Sequence, residues 1–113
     1  MGSTLPLVDA IARVGLKSDA SNEPEVSQSE LSELVLSSRV PDREGRLPAD
    51  DDYDETYDIN LAVASVFDLK ASRVAAKFDL NVDGQALSRS QQYQHFTAQA
   101  ALFRAKQAFT WPL

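Results

Sequence analysis

The apolar residues between Ile59 and Phe78 recur at helical intervals. Ile59, Val63, Phe67, Ala71, Val74 and Phe78 step by 4, 4, 4, 3 and 4. With Val66 beside them they form one stripe, which predicts an amphipathic helix over 58–78. Burying each large member contributes about 1.5–3 kcal/mol before conformational entropy is subtracted. Ala62, Ala64, Ala75 and Ala76 favour helix and let neighbours approach closely. Asp54, Glu55 and Asp58 are expected at the positive end of this helix dipole. Farther on, Tyr93, Phe96, Ala100, Phe103 and Gln107 step by 3, 4, 3 and 4, an a/d-like seam. Ser88 and Gln91 spell a capping box, S-x-x-Q, so the last helix is expected over 88–107. Asp79–Leu87, with Gly84 at its centre, reads as a turn. Two helices so connected pack antiparallel, as a hairpin.

The N-terminal half carries weaker patterns. Leu7, Ile11 and Val14 share one side of a short helix over about 5–14, with Thr4 to cap it and Gly15 to end it. Lys17–Glu25 is polar and reads as a linker. Ser27 and Glu30 then form an S-x-x-E capping box, with Val26 and Leu31 as its hydrophobic staple. Leu31, Leu34 and Val35 continue the face, and Pro41 stops it while pushing Val40 toward an extended conformation. This helix is expected over 28–39. From Arg39 to Tyr57 the chain has two prolines, a glycine and the run Asp50-Asp51-Asp52-Tyr53-Asp54-Glu55. A loop this long in a compact domain is usually functional or disordered. Leu47, Tyr53 and Tyr57 are its only large apolar residues, and an ordered course for it is most simply explained by a partner that pins it.

The expected fold is therefore all-α: a single domain, a small helical bundle on the hairpin 58–78 and 88–107. Residues 1–26 supply a helix and linker, 27–107 the helical core with the loop at 39–57, and 108–113 an extended C-terminal tail. The tail, Phe109-Thr110-Trp111-Pro112-Leu113, leaves three large apolar side chains exposed unless something covers them. It either folds back on its own hairpin or docks into a neighbouring chain, as aromatic residues near a chain end often do. Leu47, Tyr53, Tyr57, Phe109, Trp111 and Leu113 are thus the candidate interface residues.

Composition narrows the function classes. The chain has 113 residues and no cysteine, which excludes disulfides, thiolate metal sites and a cysteine nucleophile. No apolar run approaches the roughly 20 residues that span a membrane. Thr4–Val14 is interrupted by Asp9 and Arg13 and lacks a basic region before it, unlike a signal peptide. Gly2 lacks a myristoylation context because Pro6 stands where that motif takes Ser or Thr. A soluble, unanchored chain with no membrane partner is expected. The net charge of −6 argues against a dedicated DNA-binder. It is unevenly spread: residues 1–58 hold five Arg/Lys against fourteen Asp/Glu, and residues 59–113 hold six against three. Such a dipolar chain attracts its own kind or an acidic partner, unless the halves simply neutralise each other.

Candidate chemistry is sparse. Asp79-Leu80-Asn81-Val82-Asp83-Gly84 matches the first six positions of an EF-hand loop, with Asp79, Asn81 and Asp83 as calcium ligands. Position twelve is Ser90, which cannot supply the bidentate carboxylate, and Asp, Asn and Gly are ordinary turn residues. The acidic run at 50–55 reads as a solvated segment or a patch for a basic partner before it reads as a cation site. His95 is the only histidine. No motif sets a serine or carboxylate beside it, and it is expected on the wet side of the last helix. The four glycines are scattered, so no phosphate loop exists. Lys70, Arg73, Lys77, Arg89, Arg104 and Lys106 could touch phosphate, but without a stacking platform or helix-turn-helix spacing. No catalytic residue, metal or cofactor is expected, and the chain does not read as an enzyme. The readings that compete are a small helical binding module using the degenerate loop at 79–84, a nucleic-acid accessory protein using the basic residues, and a structural protein.

The middle of the chain favours the last. Glu33-Leu34-Val35, Arg39, Pro41-Asp42-Arg43-Glu44-Gly45 and Leu47-Pro48 are followed by Thr56-Tyr57-Asp58-Ile59-Asn60, then Ala62, Ala64, Phe67 and Lys70-Ala71. This succession resembles the small head–tail connector proteins (adaptor, or head-completion, proteins) of long-tailed bacteriophages, over about 31–107. In that family a helix leads through a Pro/Asp/Gly loop to T-Y-D-[LIV]-N and a helix of form A-x-A-x-x-W-x-x-K-A. Phe67 stands here in place of the common Trp, and the 79–87 turn differs from the Gly/Ser-rich turn usual before the last helix. The resemblance implies a homo-oligomeric ring, commonly a dodecamer, at the head–tail interface of the virion, assembled from protein made in the host bacterial cytoplasm. Its implied partners are the portal protein and the next tail-side connector or tail protein. DNA is implied to pass through the ring without specific binding.

Overall fold

The computed structural model describes residues 2–78 and 85–108, and the side chains of all of these except 77, 78, 85–89, 107 and 108. Four helices dominate the described residues: α1 (Leu7–Ser18), α2 (Gln28–Ser37), α3 (Ile59–Phe78) and α4 (Gln85–Ala108). Two two-residue strands, β1 (Ser3–Thr4) and β2 (Thr56–Tyr57), pair antiparallel with Ser3 opposite Tyr57 and Thr4 opposite Thr56.

Helix α3 is the centre. Its expected stripe is buried at Ile59, Val63, Val66, Phe67, Ala71 and Val74, and so are Ala62 and Ala64 to either side of it. A helix that is apolar around most of its circumference must be covered from several directions. Helices α1 and α2 pack on it from one part of the chain, and α4 packs along it as the hairpin. In the hairpin Phe67 stacks on both Phe96 and Phe103, with ring centroids 6.2 and 6.0 Å away. Ala100 is buried between those two aromatics in sequence, and Arg104 pairs with Asp68 across the hairpin. Tyr93, the first member of the expected seam, is 43% exposed.

The capping boxes have different fates. At α2, Ser27 Oγ accepts from Glu30 N at 3.3 Å and Glu30 Oε1 accepts from Ser27 N at 3.0 Å. Both staple residues, Val26 and Leu31, are buried. The helix ends at Ser37, two residues earlier than expected, because Ser38 turns its hydroxyl back onto Val35 O at 2.6 Å. At α4 the S-x-x-Q pattern marks no helix start. The helix already begins at Gln85, since Gln85, Ala86 and Leu87 are good helix formers and carry it N-terminal to Ser88.

Helix α1 departs from expectation at both ends. It runs through Gly15 to Ser18, whose buried hydroxyl donates to Val14 O at 2.6 Å, and Asp19 in the left-handed conformation (φ 55) ends it. Thr4 does not cap it. Thr4 belongs to β1, with its Oγ1 3.1 Å from that of Thr56. The cap comes from the far side of the loop: Leu7 N donates to the Glu55 carboxylate at 3.1 Å. Glu55 therefore serves the N-terminus of α1, and Asp54 reaches Arg46, so of the three acids expected at α3 only Asp58 caps it, accepting from Leu61 N at 3.0 Å. Gly2 makes β1 possible. A Cβ there would lie 2.5 Å from Val40 Cγ2 and 2.7 Å from Thr56 Cγ2.

The polar stretch 19–25 is no free linker. It is strapped to α3 by two cations of that helix. The Lys70 side chain is buried, and its ammonium donates to Asp19 O and, at 3.1 Å, to Asn22 O. Arg73 donates to Glu25 O and pairs with Glu30. Burial pushes the Lys70 amine below its ordinary range, with the Asp19 charge opposing that shift. Replacing Lys70 with Met keeps the apolar stem and leaves the two carbonyls without their donor. Lys70→Met is expected to lower unfolding stability by about 1–3 kcal/mol in urea titration and to speed amide exchange across 19–25. An unchanged midpoint with unchanged exchange would refute the strap.

Candidate interaction surface

The 39–57 segment is ordered from within. Its ends are neighbours: Arg39 bridges to Tyr57, and Val40 N donates to Thr56 O at 3.0 Å. The Asp42 carboxylate is the hub. It accepts from Glu44 N at 2.9 Å, from Arg46 N and Arg46 Nε at 2.8 Å each, and from Asp54 N at 3.0 Å. Gly45 adopts a positive φ of 76 and donates its N–H to Asp42 O, closing the tight turn that lets residues 44 and 46 converge on one carboxylate. The Tyr53 hydroxyl lies 2.7 Å from Val40 O and accepts from Thr56 N at 3.2 Å, tying the outgoing limb to the incoming one. A partner is not needed to account for this order.

The candidate interface residues separate accordingly. Tyr57 is 0% exposed and belongs to the core. Its hydroxyl has no hydrogen-bond partner among the described residues, and burial raises its pKa. Tyr53 is half-buried, with its hydroxyl committed to the backbone of the loop. Leu47 is 55% exposed at the outer end of the loop, beside the exposed Asp50, Asp51 and Asp52. Asp50 is partly engaged, accepting from Leu47 N at 2.8 Å. Phe109, Trp111 and Leu113 lie outside the described residues, and so do Asp79, Asn81 and Asp83. His95 is exposed.

Two further surfaces are not singled out by the sequence. On α1, Val8 and Leu16 are 71% and 85% exposed, on the side away from the buried Ala10 and Val14. Their spacing through Ala12 is as helical as that of Leu7, Ile11 and Val14, so periodicity offers two apolar faces and does not say which one the core takes. On α4, Ala98, Ala101, Leu102 and Ala105 are all exposed, opposite the Phe96–Ala100–Phe103 seam. Of the six basic residues in the C-terminal half, Lys70, Arg73 and Arg104 are engaged inside the chain, which takes support away from a phosphate-binding face. The Lys106 ammonium sits 4.5 Å from the centroid of the Phe103 ring.

Among the described residues, no cluster of three or more His, Asp or Glu side chains is placed to hold a metal ion, and no helix is long and apolar enough to cross a membrane. An open groove of about 510 Å³ runs along Glu23, Pro24, Glu25, Arg73 and Ala76. Among the described residues that line it Arg73 is the one cation, and it is already paired with Glu30. No protein-family model, curated protein or solved structure matches this chain.

Two carboxylates on these elements are strongly acidic. Glu30 is held at about 2 by the Ser27 backbone donor and by Arg73. Asp42 is also held at about 2: burial alone would raise it, and the donors from Asp54, Arg46 and Glu44 overcome that. Both folded-state values lie below the ordinary 4.5 and 3.8, so the unfolded chain binds more protons. Their stabilising contribution is complete above about pH 4.5 and is lost as the pH falls toward about 2. Asp42→Asn is expected to lower stability at neutral pH and to flatten the acid limb in urea titrations run from about pH 6 to about pH 2. An acid limb as steep as that of the parent chain would show that Asp42 does not organise the loop.

Proposed function

We propose that the chain is a structural virion protein, a head–tail adaptor that forms a ring between the portal and the tail of a long-tailed phage. One observation carries the reading. The two stretches on which the resemblance rests, Pro41–Gly45 and Thr56–Asn60, are held near each other mainly through residues that flank them: Val40 N donates to Thr56 O, Asp54 N donates to the Asp42 carboxylate, and the Tyr53 hydroxyl bonds to Val40 O and accepts from Thr56 N. Residues that look like family signatures thus take adjoining physical roles: Asp42 and Gly45 shape a self-supported acidic loop, while Tyr57, Asp58 and Ile59 anchor its outgoing limb in the core and start the central helix. A ring subunit needs such rigid projections, because each contact with a neighbour is repeated and any looseness accumulates around the ring. The excess of acid, with Lys70, Arg73 and Arg104 engaged internally, accords with a channel through which DNA slides without being gripped. The portal protein and a tail-side protein are its partners on this reading, and the head–tail interface of the virion is its place.

Native mass spectrometry at micromolar concentration, with and without portal protein, tests this. The expected result is a closed ring, free or bound to the portal. A chain that stays monomeric in both conditions and ignores the portal would overturn the proposal. Truncation after Ala108 removes Phe109, Trp111 and Leu113 and is expected to abolish portal docking. Docking at unchanged affinity would exclude the tail as the point of attachment.

A further inference from the structure

The chain exposes two surfaces of complementary character on different elements. The first is the tip of the 39–57 loop. Leu47 projects there at 55% exposure, flanked by Asp50, Asp51 and Asp52. Asp51 and Asp52 make no ion pair among the described residues. The second is the outer face of α4. Gln94, Ala98, Ala101 and Ala105 are exposed around Leu102, which is 49% exposed. Helix α4 contains no Asp or Glu over its 24 residues, and carries Arg89, Arg104 and Lys106. Among the described residues no hydrogen bond or ion pair joins the loop to α4 within one chain.

We propose that these two surfaces meet between copies, the acidic loop tip of one chain docking on the outer face of α4 of a second. The small side chains of Ala98, Ala101 and Ala105 leave room beside Leu102 for an inserted leucine, and Leu47 is the exposed leucine that the loop presents. Around that apolar centre, Asp51 and Asp52 face a helix without a single carboxylate, with Lys106 exposed at its end. Charge complementarity also selects this pairing over the like-with-like ones. Loop on loop sets aspartates against aspartates, and α4 on α4 offers no carboxylate to the exposed Lys106. The outer face of α1 is a poorer seat for α4, because its one acid, Asp9, is offset by Arg13 and Lys17, whereas the loop tip carries a run of aspartates.

The contact is heterologous: a patch on one copy meets a different patch on the next, so one of each is left over at every step, and the series closes as a ring or continues as a filament. This deepens the adaptor reading and rests on it for the closure, although the pairing itself does not require a portal.

Sedimentation velocity on the full chain tests it. The parent chain is expected to self-associate with concentration at about 50 mM salt, and about tenfold more weakly at about 500 mM. Asp51→Lys with Asp52→Lys spoils the loop surface alone, and Leu102→Glu spoils the helix surface alone. All three positions are exposed, and circular-dichroism melts check that each variant folds. Each variant by itself is expected to be monomeric. An equimolar mixture is expected to form dimers and stop there, because only one intact pair of surfaces remains. A parent chain that stays monomeric at low salt, variants that associate as the parent does, or a mixture that stays monomeric would each overturn the pairing. A portal-bound ring that persists in both variants would overturn the pairing and leave the adaptor reading standing. A parent that self-associates as described, but only into open-ended filaments and without engaging the portal, would do the reverse.

Discussion

The interior of this protein depends on one constraint: α3 is too apolar to face water on more than a small part of its circumference. Ile59, Val63, Val66 and Phe67 lie along one side, and Ala62 and Ala64 widen the buried surface to either side of it. No single neighbour covers a helix of that kind, so α1, α2 and α4 are all recruited to it. The small residues keep the covering helices close, and Phe67 provides the surface on which both aromatics of α4 stack. Even the charged residues of α3 conform. Lys70 is buried along its stem and donates its ammonium to the carbonyls of the 19–25 strap, 5.6 Å from the centroid of the Phe96 ring of α4.

A second organising group, Asp42, works by the opposite means. It orders a stretch with little apolar surface by collecting backbone and side-chain donors from residues 44, 46 and 54 on one carboxylate. Hydrogen bonds to a charged group are stronger than neutral ones, and here four of them converge on a side chain that is only 1% exposed. The result is a polar loop as well defined as a helix terminus. That matters for function, since a projection that is already rigid gives up little conformational entropy when it docks.

Much of the helical architecture is legible in the linear pattern. The α3 stripe, the α3–α4 hairpin and the capping box of α2 follow from spacing and from side-chain chemistry within a few residues. The departures have a common form. Thr4, Gly15 and Ser88 carry local signals for helix ends, and each is overruled by something that spacing does not report: a strand partner at Thr56, packing of Leu31 beside Gly15, and strong helix formers upstream of Ser88. Among the interface candidates, Leu47, Tyr53 and Tyr57 look alike as apolar residues in a polar loop. Their burial differs because Tyr57 lies in β2 against the core, Tyr53 spans the base of the loop and Leu47 lies at its outer end.

By itself, the sequence determined that the chain is helical, where its central helix and hairpin lie, and that its charge is split between two halves. These are properties of periodicity and composition, which act over a turn or two of helix. Tertiary structure alone decided that Glu55 is drawn away to cap α1, leaving Asp58, of the three acids expected there, to cap α3. It also decided which of the two apolar faces of α1 is buried and which basic residues are spent inside the fold. Those outcomes hang on partners 48 residues apart, such as Leu7 with Glu55 and Lys70 with Asn22. A contact between residues so distant exists only once the chain has closed around α3.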